Sequence, residues 1–423
     1  VARADIARAD FGPVTINAAK ARIEYRGGTG TARILAEGIG GAPFRIAANA
    51  SLQPDLWRAA IEGRVRGIAF STDTPARIVP GTQEDEGTYE LLPTRIAVGE
   101  GSLRLAGRYG EGFAVQSRLD ALDIALVNAF VPGLGLGGTA SGSLDFAQTA
   151  PGAFPRADAR LKIDEFNRST AAAVSEPVDI TLVGQLLADG GEARAAIRRS
   201  GSVIGRMIAS LRPLGPGAGP WTERLLEAPL GGGVRYNGPA ATLFSFAGQP
   251  NQTLEGSIGV AADFAGRFDT PELTGIVRGQ SLEYRNQIFG TRLSGMALSA
   301  RFDGSRLEIE RLAADAGDGR VSAEGFVSLS AESGYPMDLT ATLDNARLAR
   351  SDSVSARATG SLRLSKAAGE TALLAGEIRL PETRYRFVRQ GAAEVPELDG
   401  VRFRERAGPQ RVTGDEAAVA GPG

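Results

Sequence analysis

Apolar and polar residues alternate with a period of two along most of the chain, in short runs rich in small side chains. Gly101-Ser102-Leu103-Arg104-Leu105-Ala106-Gly107 is one such run and Gly142-Ser143-Leu144-Asp145-Phe146 another. Gly256-Ser257-Ile258-Gly259-Val260 and Gly360-Ser361-Leu362-Arg363-Leu364 repeat the pattern. Successive side chains on a strand point to opposite faces, so each run predicts a strand with one apolar and one wet face. A single strand of this kind cannot bury its apolar face. Many stacked strands can, and together they present one continuous apolar surface.

Parity assigns that surface. Leu103 and Leu105 share a face, as do Leu144 with Phe146 and Leu161 with Ile163. The cleanest alternation runs from Gly233 to Phe387. There Ile258, Val260 and Phe264 group together, then Leu298 and Phe302, Leu307 and Ile309, Leu339 and Leu343, Leu362 and Leu364, and Ile378 and Leu380. These residues are the candidate lining of an apolar trough. Parity leaves open which of them face an open groove and which are packed. Hairpin turns are expected at Asp303-Gly304, Asp318-Gly319 and Gly369.

Breaks in the pattern divide the chain. Strands fill 1–196, with a short helix near 122–131 that Asp123 caps and Pro132-Gly133 ends. Residues 197–233 are read as a helical and Pro/Gly interruption. Ser202 is placed at the cap of a helix through about Leu211, because Val203, Ile204, Met207, Ile208 and Leu211 fall at helical spacing. Pro213 to Pro220 form a linker, and Pro220 opens a second helix from Trp221 to Glu227. Both helices are expected to cover the β structure. Binding to a membrane surface would call for a more basic polar face. Strands resume over 234–390, and 391–423 read as a linker or disordered tail.

Composition narrows the chemistry. The 423 residues carry 47 basic and 49 acidic side chains, a net charge of -2, which gives no long-range pull toward nucleic acid. The 56 glycines, and aromatics at only 6 %, suit tight turns and evenly lined strands. Histidine and cysteine are absent. Their absence removes Ser-His and Cys-His nucleophile pairs, the usual zinc sites and any disulfide. No enzyme, cofactor or metal is expected. No apolar run approaches the roughly 20 residues of a membrane helix. The start at Val1, without a signal-like segment, reads as a piece of a longer protein.

Several motifs imitate chemistry. Gly133-Leu134-Gly135-Leu136-Gly137-Gly138 satisfies a dinucleotide fingerprint, but a strand-like run follows it where a helix is needed. Asp315-Ala316-Gly317-Asp318-Gly319 hints at calcium but lacks a bidentate glutamate, so it reads as a turn. The acidic run Thr82-Gln83-Glu84-Asp85-Glu86-Gly87 reads as a solvated loop rather than a carboxylate pair. Asn251-Gln252-Thr253 matches a glycosylation sequon, a triplet that is frequent by chance. Arg384 and Arg386, and Arg402, Arg404 and Arg406, alternate with apolar residues and read as a wet strand face.

Leu119-Asp120-Ala121-Leu122-Asp123-Ile124-Ala125-Leu126-Val127-Asn128-Ala129-Phe130-Val131-Pro132-Gly133, running into Gly138-Thr139-Ala140-Ser141-Gly142-Ser143-Leu144, resembles the TamB family. So do Asp269-Thr270-Pro271-Glu272-Leu273-Thr274-Gly275-Ile276-Val277-Arg278-Gly279 followed by Leu282-Glu283-Tyr284, Gly319-Arg320-Val321-Ser322-Ala323-Glu324-Gly325 and Glu377-Ile378-Arg379-Leu380-Pro381-Glu382-Thr383-Arg384-Tyr385-Arg386. The resemblance extends over roughly 100–405. It implies an all-β fold of the AsmA-like kind: an elongated repeating sheet curled into a groove, with a few short helices. It also implies a periplasmic protein held in the inner membrane by an N-terminal anchor and followed by a C-terminal domain. Neither end is recognised in this sequence, and the C-terminal domain is expected beyond the tail.

The function implied is shielding of phospholipid acyl chains between the two membranes of a diderm bacterium. Assembly of outer-membrane barrels with a TamA-like partner is the alternative. If about 25 strands stack at ~4.8 Å, the array is on the order of 120 Å long. A packed structural solenoid, a chaperone that templates strands at open sheet edges, and a β-helical polysaccharide enzyme are the competing readings.

Overall fold

The computed structural model describes residues 1–385 apart from 12–13, 41, 83–84, 86, 130–133, 171–173, 247–250, 331–332, 351–353 and 382. The tail at 391–423, the arginines from Arg386 onward and parts of the acidic loop therefore lie outside the described residues.

The described chain is one antiparallel sheet of 26 strands, built almost entirely as a meander. β1 (Ala2–Ile6) and β2 (Ala9–Phe11) both pair with β3 (Val14–Arg26). β4 (Thr29–Gly40), β5 (Pro43–Leu52) and β6 (Trp57–Val65) follow. β7 (Ile68–Thr72) and β8 (Ala76–Pro80) share the place between β6 and β9 (Tyr89–Val98). β10 (Gly101–Tyr109), β11 (Phe113–Asp123), β12 (Leu136–Gln148), β13 (Arg156–Arg168), β14 (Val178–Leu187), β15 (Gly190–Arg199) and β16 (Ser202–Leu211) extend the ladder. Helix α1 (Trp221–Leu226) precedes β17 (Leu230–Pro239), and α2 (Ala240–Ser245) follows it. β18 (Gln252–Gly266), β19 (Pro271–Asn286), β20 (Thr291–Gly304), β21 (Arg306–Ala316), β22 (Gly319–Ser328), β23 (Met337–Arg350) and β24 (Val354–Lys366) complete the run. β25 (Leu373–Arg379) and β26 (Thr383–Tyr385) both pair with β24.

The short helix expected after Asp123 is present as a 3-10 helix, Ile124–Ala129. The Asp123 carboxylate accepts the Ala125 amide at 2.8 Å, as a capping side chain does. The expected helix at Trp221 is α1. Helix α2 gave no sequence signal of its own.

The helix expected over 202–211 is a correction: these residues form β16, bonded to β15 and β17. The cause is a bulge. Ile197 faces Gly205 and Arg198 faces Val203, so Ile204 is an extra residue in the ladder. That insertion shifts parity by one and makes alternating residues look helically spaced. Ile204 is buried, whereas Val203 and Ile208 are exposed on the other face.

Bulges also bend the sheet. Ala121, Glu165, Ser281 and Asn345 all have φ near +50° and sit where the register shifts in β11, β13, β19 and β23. The local sequences Leu119-Asp120-Ala121-Leu122, Ile163-Asp164-Glu165-Phe166 and Leu343-Asp344-Asn345-Ala346 share one pattern. At three of these positions a neighbouring-strand side chain takes the freed amide. Ser141 Oγ accepts from Ala121, Asp179 Oδ1 from Glu165 and Thr359 Oγ1 from Asn345, at 3.0, 3.1 and 3.0 Å. The bend carries β20 toward β23, where the Thr291 hydroxyl donates to the Leu348 carbonyl. Leu293 packs there against Ala316, Val321 and Leu343.

Candidate functional site

Strand register places the apolar residues in rows that cross the sheet. One row reads Ala140, Ile163, Ile180, Ile197, Gly205, Tyr236, Val260, Val277, Ala300, Ile309, Gly325, Leu339, Leu364 and Leu374, each residue directly opposite the next. It runs from β12 to β25 without a charged side chain. At ~4.8 Å per strand it covers on the order of 60 Å.

Parallel rows carry the other candidates. Leu103, Leu161, Phe302 and Leu307 lie on one, linked through Leu119, Leu182, Met207 and Val234. Leu105, Leu144 and Phe264 lie on a second, which also passes through Ala159 and Ala193. Phe146 lies beside it, opposite Val115 and Ala157. Ile258, Leu298 and Leu362 form a third, and Leu343 faces Gly360, which in turn faces Ile378. Leu380 falls just past the end of β25 and is exposed.

These candidates therefore share one face, but not one environment. Ile258 is buried in a cluster with Val178, Ile204, Tyr236, Val277, Leu282 and Met296, against which Val260, Leu298, Phe302, Leu307 and Ile309 pack. Leu343 is buried in a second cluster with Ala346 and Ala358, against which Leu362 packs. Leu144 and Ile378 are exposed. Leu103, Leu105, Phe146, Leu161, Ile163, Phe264, Leu339 and Leu364 are half-buried. The apolar face is thus packed along one margin and accessible elsewhere.

Helix α2 closes part of the packed margin. Phe246, just beyond it, stacks on Phe166 with ring centroids 6.1 Å apart. Thr242 is almost fully buried and donates to Glu176 Oε2 at 3.0 Å, and Arg199 Nη1 donates to the Thr242 hydroxyl at 2.6 Å. Arg199 and Glu176 pair at 2.7 Å, so the half-exposed ions satisfy each other. Burial pushes the Tyr236 phenol above its ordinary pKa, and its hydroxyl donates to the Pro239 carbonyl at 2.7 Å.

The opposite face is polar. Arg301 pairs with Glu308 at 2.7 Å and with Glu310 at 3.1 Å. Arg285 and Arg292 both hold Glu283, whose carboxyl lies below the usual range as a result. Asp338 is likewise held low by Arg363. Most charge lies on this face, the Arg199–Glu176 pair beneath α2 being one exception.

The imitated motifs resolve as structure. Asp318 receives Arg347 at 3.1 Å and Arg357 at 2.8 Å in the β21–β22 turn. Among the described residues no group of acidic side chains is arranged to hold a metal ion. The glycine run leads into β12, and Asn128 pins that connection through both its amide atoms to the Leu136 backbone. No helix among the described residues is long and apolar enough to cross a membrane.

Alternation alone missed part of this face. Ile46, Ile61, Phe70, Leu91 and Ile96 extend it through the first strands by direct pairing. Met207 and Leu211 were hidden by the helical reading of β16. The signal for the former was parity in 30–98; the signal for the latter was the pair of β-branched residues at 203–204.

Residues 310–421 match the family model of the TamB C-terminal domain. About a quarter of the chain is thus similar to the TamB family. The TamB match corrects one expectation, since the C-terminal domain lies within this sequence and not beyond it. No curated protein and no solved structure matches the chain. The TamB family is a non-enzymatic envelope family of the translocation and assembly module. The all-β sheet, curled along an apolar face with few short helices, is the architecture described above.

Proposed function

We propose that the apolar face is a trough that shields the acyl chains of phospholipids as they cross the periplasm between the inner and outer membranes. The observation that carries this reading is the uncharged apolar face from β12 to β25, which is packed along one margin but remains accessible beside it at Leu144, Leu161, Phe264 and Leu374. Exposing an acyl chain of about 14 methylenes to water costs on the order of 10 kcal/mol at ~0.8 kcal/mol each. A continuous apolar floor removes most of that barrier. The floor makes no polar demand on the acyl chain, and the headgroup stays in water. The chain itself supplies no catalytic group in this role, and the full-length protein is held at the inner membrane.

The family's place in a TamA-partnered module supports a second reading, in which the protein assists barrel assembly. The exposed strand β25 at the margin of the described sheet would then template an incoming strand.

Site-specific photocrosslinking in cells separates the two. Photoreactive residues at Leu364 and Leu374 should capture phospholipid, and those at Asp338 and Arg363 on the other face should not. Equal capture on both faces, or none on either, overturns the trough reading. Capture of unfolded barrel protein at β25 would favour the second.

A further inference from the structure

Between β13 and β18 the trough has a roof. A cavity of about 500 Å³ lies there, between the sheet and Leu225 of α1. Its floor is a lane of Ala159, Gly184, Ala193 and Ala209, directly opposite one another on consecutive strands. Leu186 and Leu211 wall one side, Met207 the other, and Phe264 and Phe268 stand at one end.

Helix α1 is fastened on both sides of the cavity. Arg224 is buried, with its guanidinium 4.9 Å from the Phe154 ring and its Nε donating to the Leu214 carbonyl at 2.6 Å. Trp221 meets Phe154 edge-on. At the other side the Phe268 and Asp269 amides donate to the Ala228 and Leu226 carbonyls, both at 3.0 Å. A helix this short is not stable alone, so these ties hold it in place.

We propose that this cavity holds one lipid acyl chain as a discrete station along the trough, with α1 as its roof. The proposal rests on the trough reading. The chemistry selects the occupant. The lining is almost wholly apolar, so a headgroup, sugar or charged peptide would lose its hydration without compensation. The floor strands are interior, with backbone groups already paired on both sides, so a peptide strand would find no edge to bond. An acyl chain needs neither. The cavity falls within the roughly 300–1,000 Å³ of small-ligand sites. The lane from β13 to β17 runs about 19 Å at ~4.8 Å per strand and continues into the open trough at Leu144. Phe264 and Phe268 end the lane and limit how far a chain can reach.

The chain has two tryptophans, Trp57 and Trp221. In the full chain carrying Trp57→Phe, the remaining tryptophan is Trp221, one turn before the cavity-lining Leu225 on α1. Vesicles of phosphatidylglycerol with brominated palmitoyl tails should quench it saturably. Ala193→Leu and Ala209→Leu each fill the lane and should weaken the apparent affinity at least tenfold, while photocrosslinked lipid persists at Leu374. Ala209→Val is the smaller step should either variant melt early. Adducts at Leu374 without saturable quenching, or quenching unchanged in the filled variants, overturns the station and leaves the trough. Absence of both signals overturns the trough and the station together.

Discussion

Leu339 on β23 stands directly opposite Leu364 on β24, and one position earlier on each strand Asp338 and Arg363 pair on the reverse face, Nε to Oδ1 at 2.8 Å. A four-residue patch thus carries the design of the whole sheet. One face makes the apolar floor, and the other keeps the strand pair in register and wet.

Leu374→Asp tests the floor without disturbing the fold. Leu374 is 62 % exposed and faces Leu364, so the substitution removes little packing. Lipid adducts at a photoreactive Leu364 should fall at least tenfold, while the melting temperature stays within about 2 °C, as for other surface substitutions. Undiminished adducts would mean that lipid does not use this row.

Charge at Leu343 has a different outcome. The side chain is 4 % exposed within the Ala316, Val321 and Ala358 cluster. Leu343→Ala should cost about 2–5 kcal/mol, and Leu343→Arg should prevent folding of β21 to β24. Chemical denaturation of the two variants checks both statements. A fully folded Leu343→Arg protein would show the cluster to be open space.

The Asp338–Arg363 pair gives a pH dependence with a definite sign. Hydrogen bonding to Arg363 lowers the Asp338 pKa, so the unfolded chain binds its proton more readily. The pair contributes stability above the ordinary carboxylate pKa of about 4, and that contribution is lost as pH falls through the lower folded value. Asp338→Asn should lower the melting temperature slightly near pH 9, where the pair is intact, and converge on the parent protein at the acid end of that window, flattening the decline between. The pair is solvent-exposed, so the effect is small and shrinks in salt.

Gly325 and Gly360 place strict backbone demands on the C-terminal part. Their φ angles are 134° and 148°, and a Cβ at Gly325 would lie 2.1 Å from the Asp338 carbonyl oxygen. Gly325→Ala should cost about 1–3 kcal/mol through backbone strain, measurable by urea titration. A neutral result would mean that β22 relaxes to ordinary strand geometry.

How much of this was legible in sequence depends on where parity held. From β18 to β24 alternation grouped the residues within each unbroken stretch on one face, and it passed over Leu282 and Met296 because register shifts in β19 and β20 interrupt the count. Around Ile204 the count broke, since a bulge adds one residue without any change in composition. Val203 and Ile204 side by side then imitated a helix turn. Burial was illegible for another reason. Ile258 and Leu364 have the same local pattern, but Tyr236, Leu282 and Met296, brought in from other strands, close over the former. Helix α2 was missed because Ala240–Ser245 is too short for periodicity and is held by Glu176 and Arg199, far away in sequence. The C-terminal domain was placed beyond the tail because small-residue patterns show where a repeat lies without showing which part of a family it belongs to.

The meander has a consequence for assembly. Nearly every strand bonds only to the strand before it and the strand after it, so contact order is low for so large a sheet. Three of the bends are written into a four-residue pattern and sealed by a side chain from the adjoining strand. Such a chain can zip up hairpin by hairpin as it emerges, without waiting for distant partners. It can also gain or lose hairpins in evolution while keeping its cross-section, so its length can change without rebuilding the sheet.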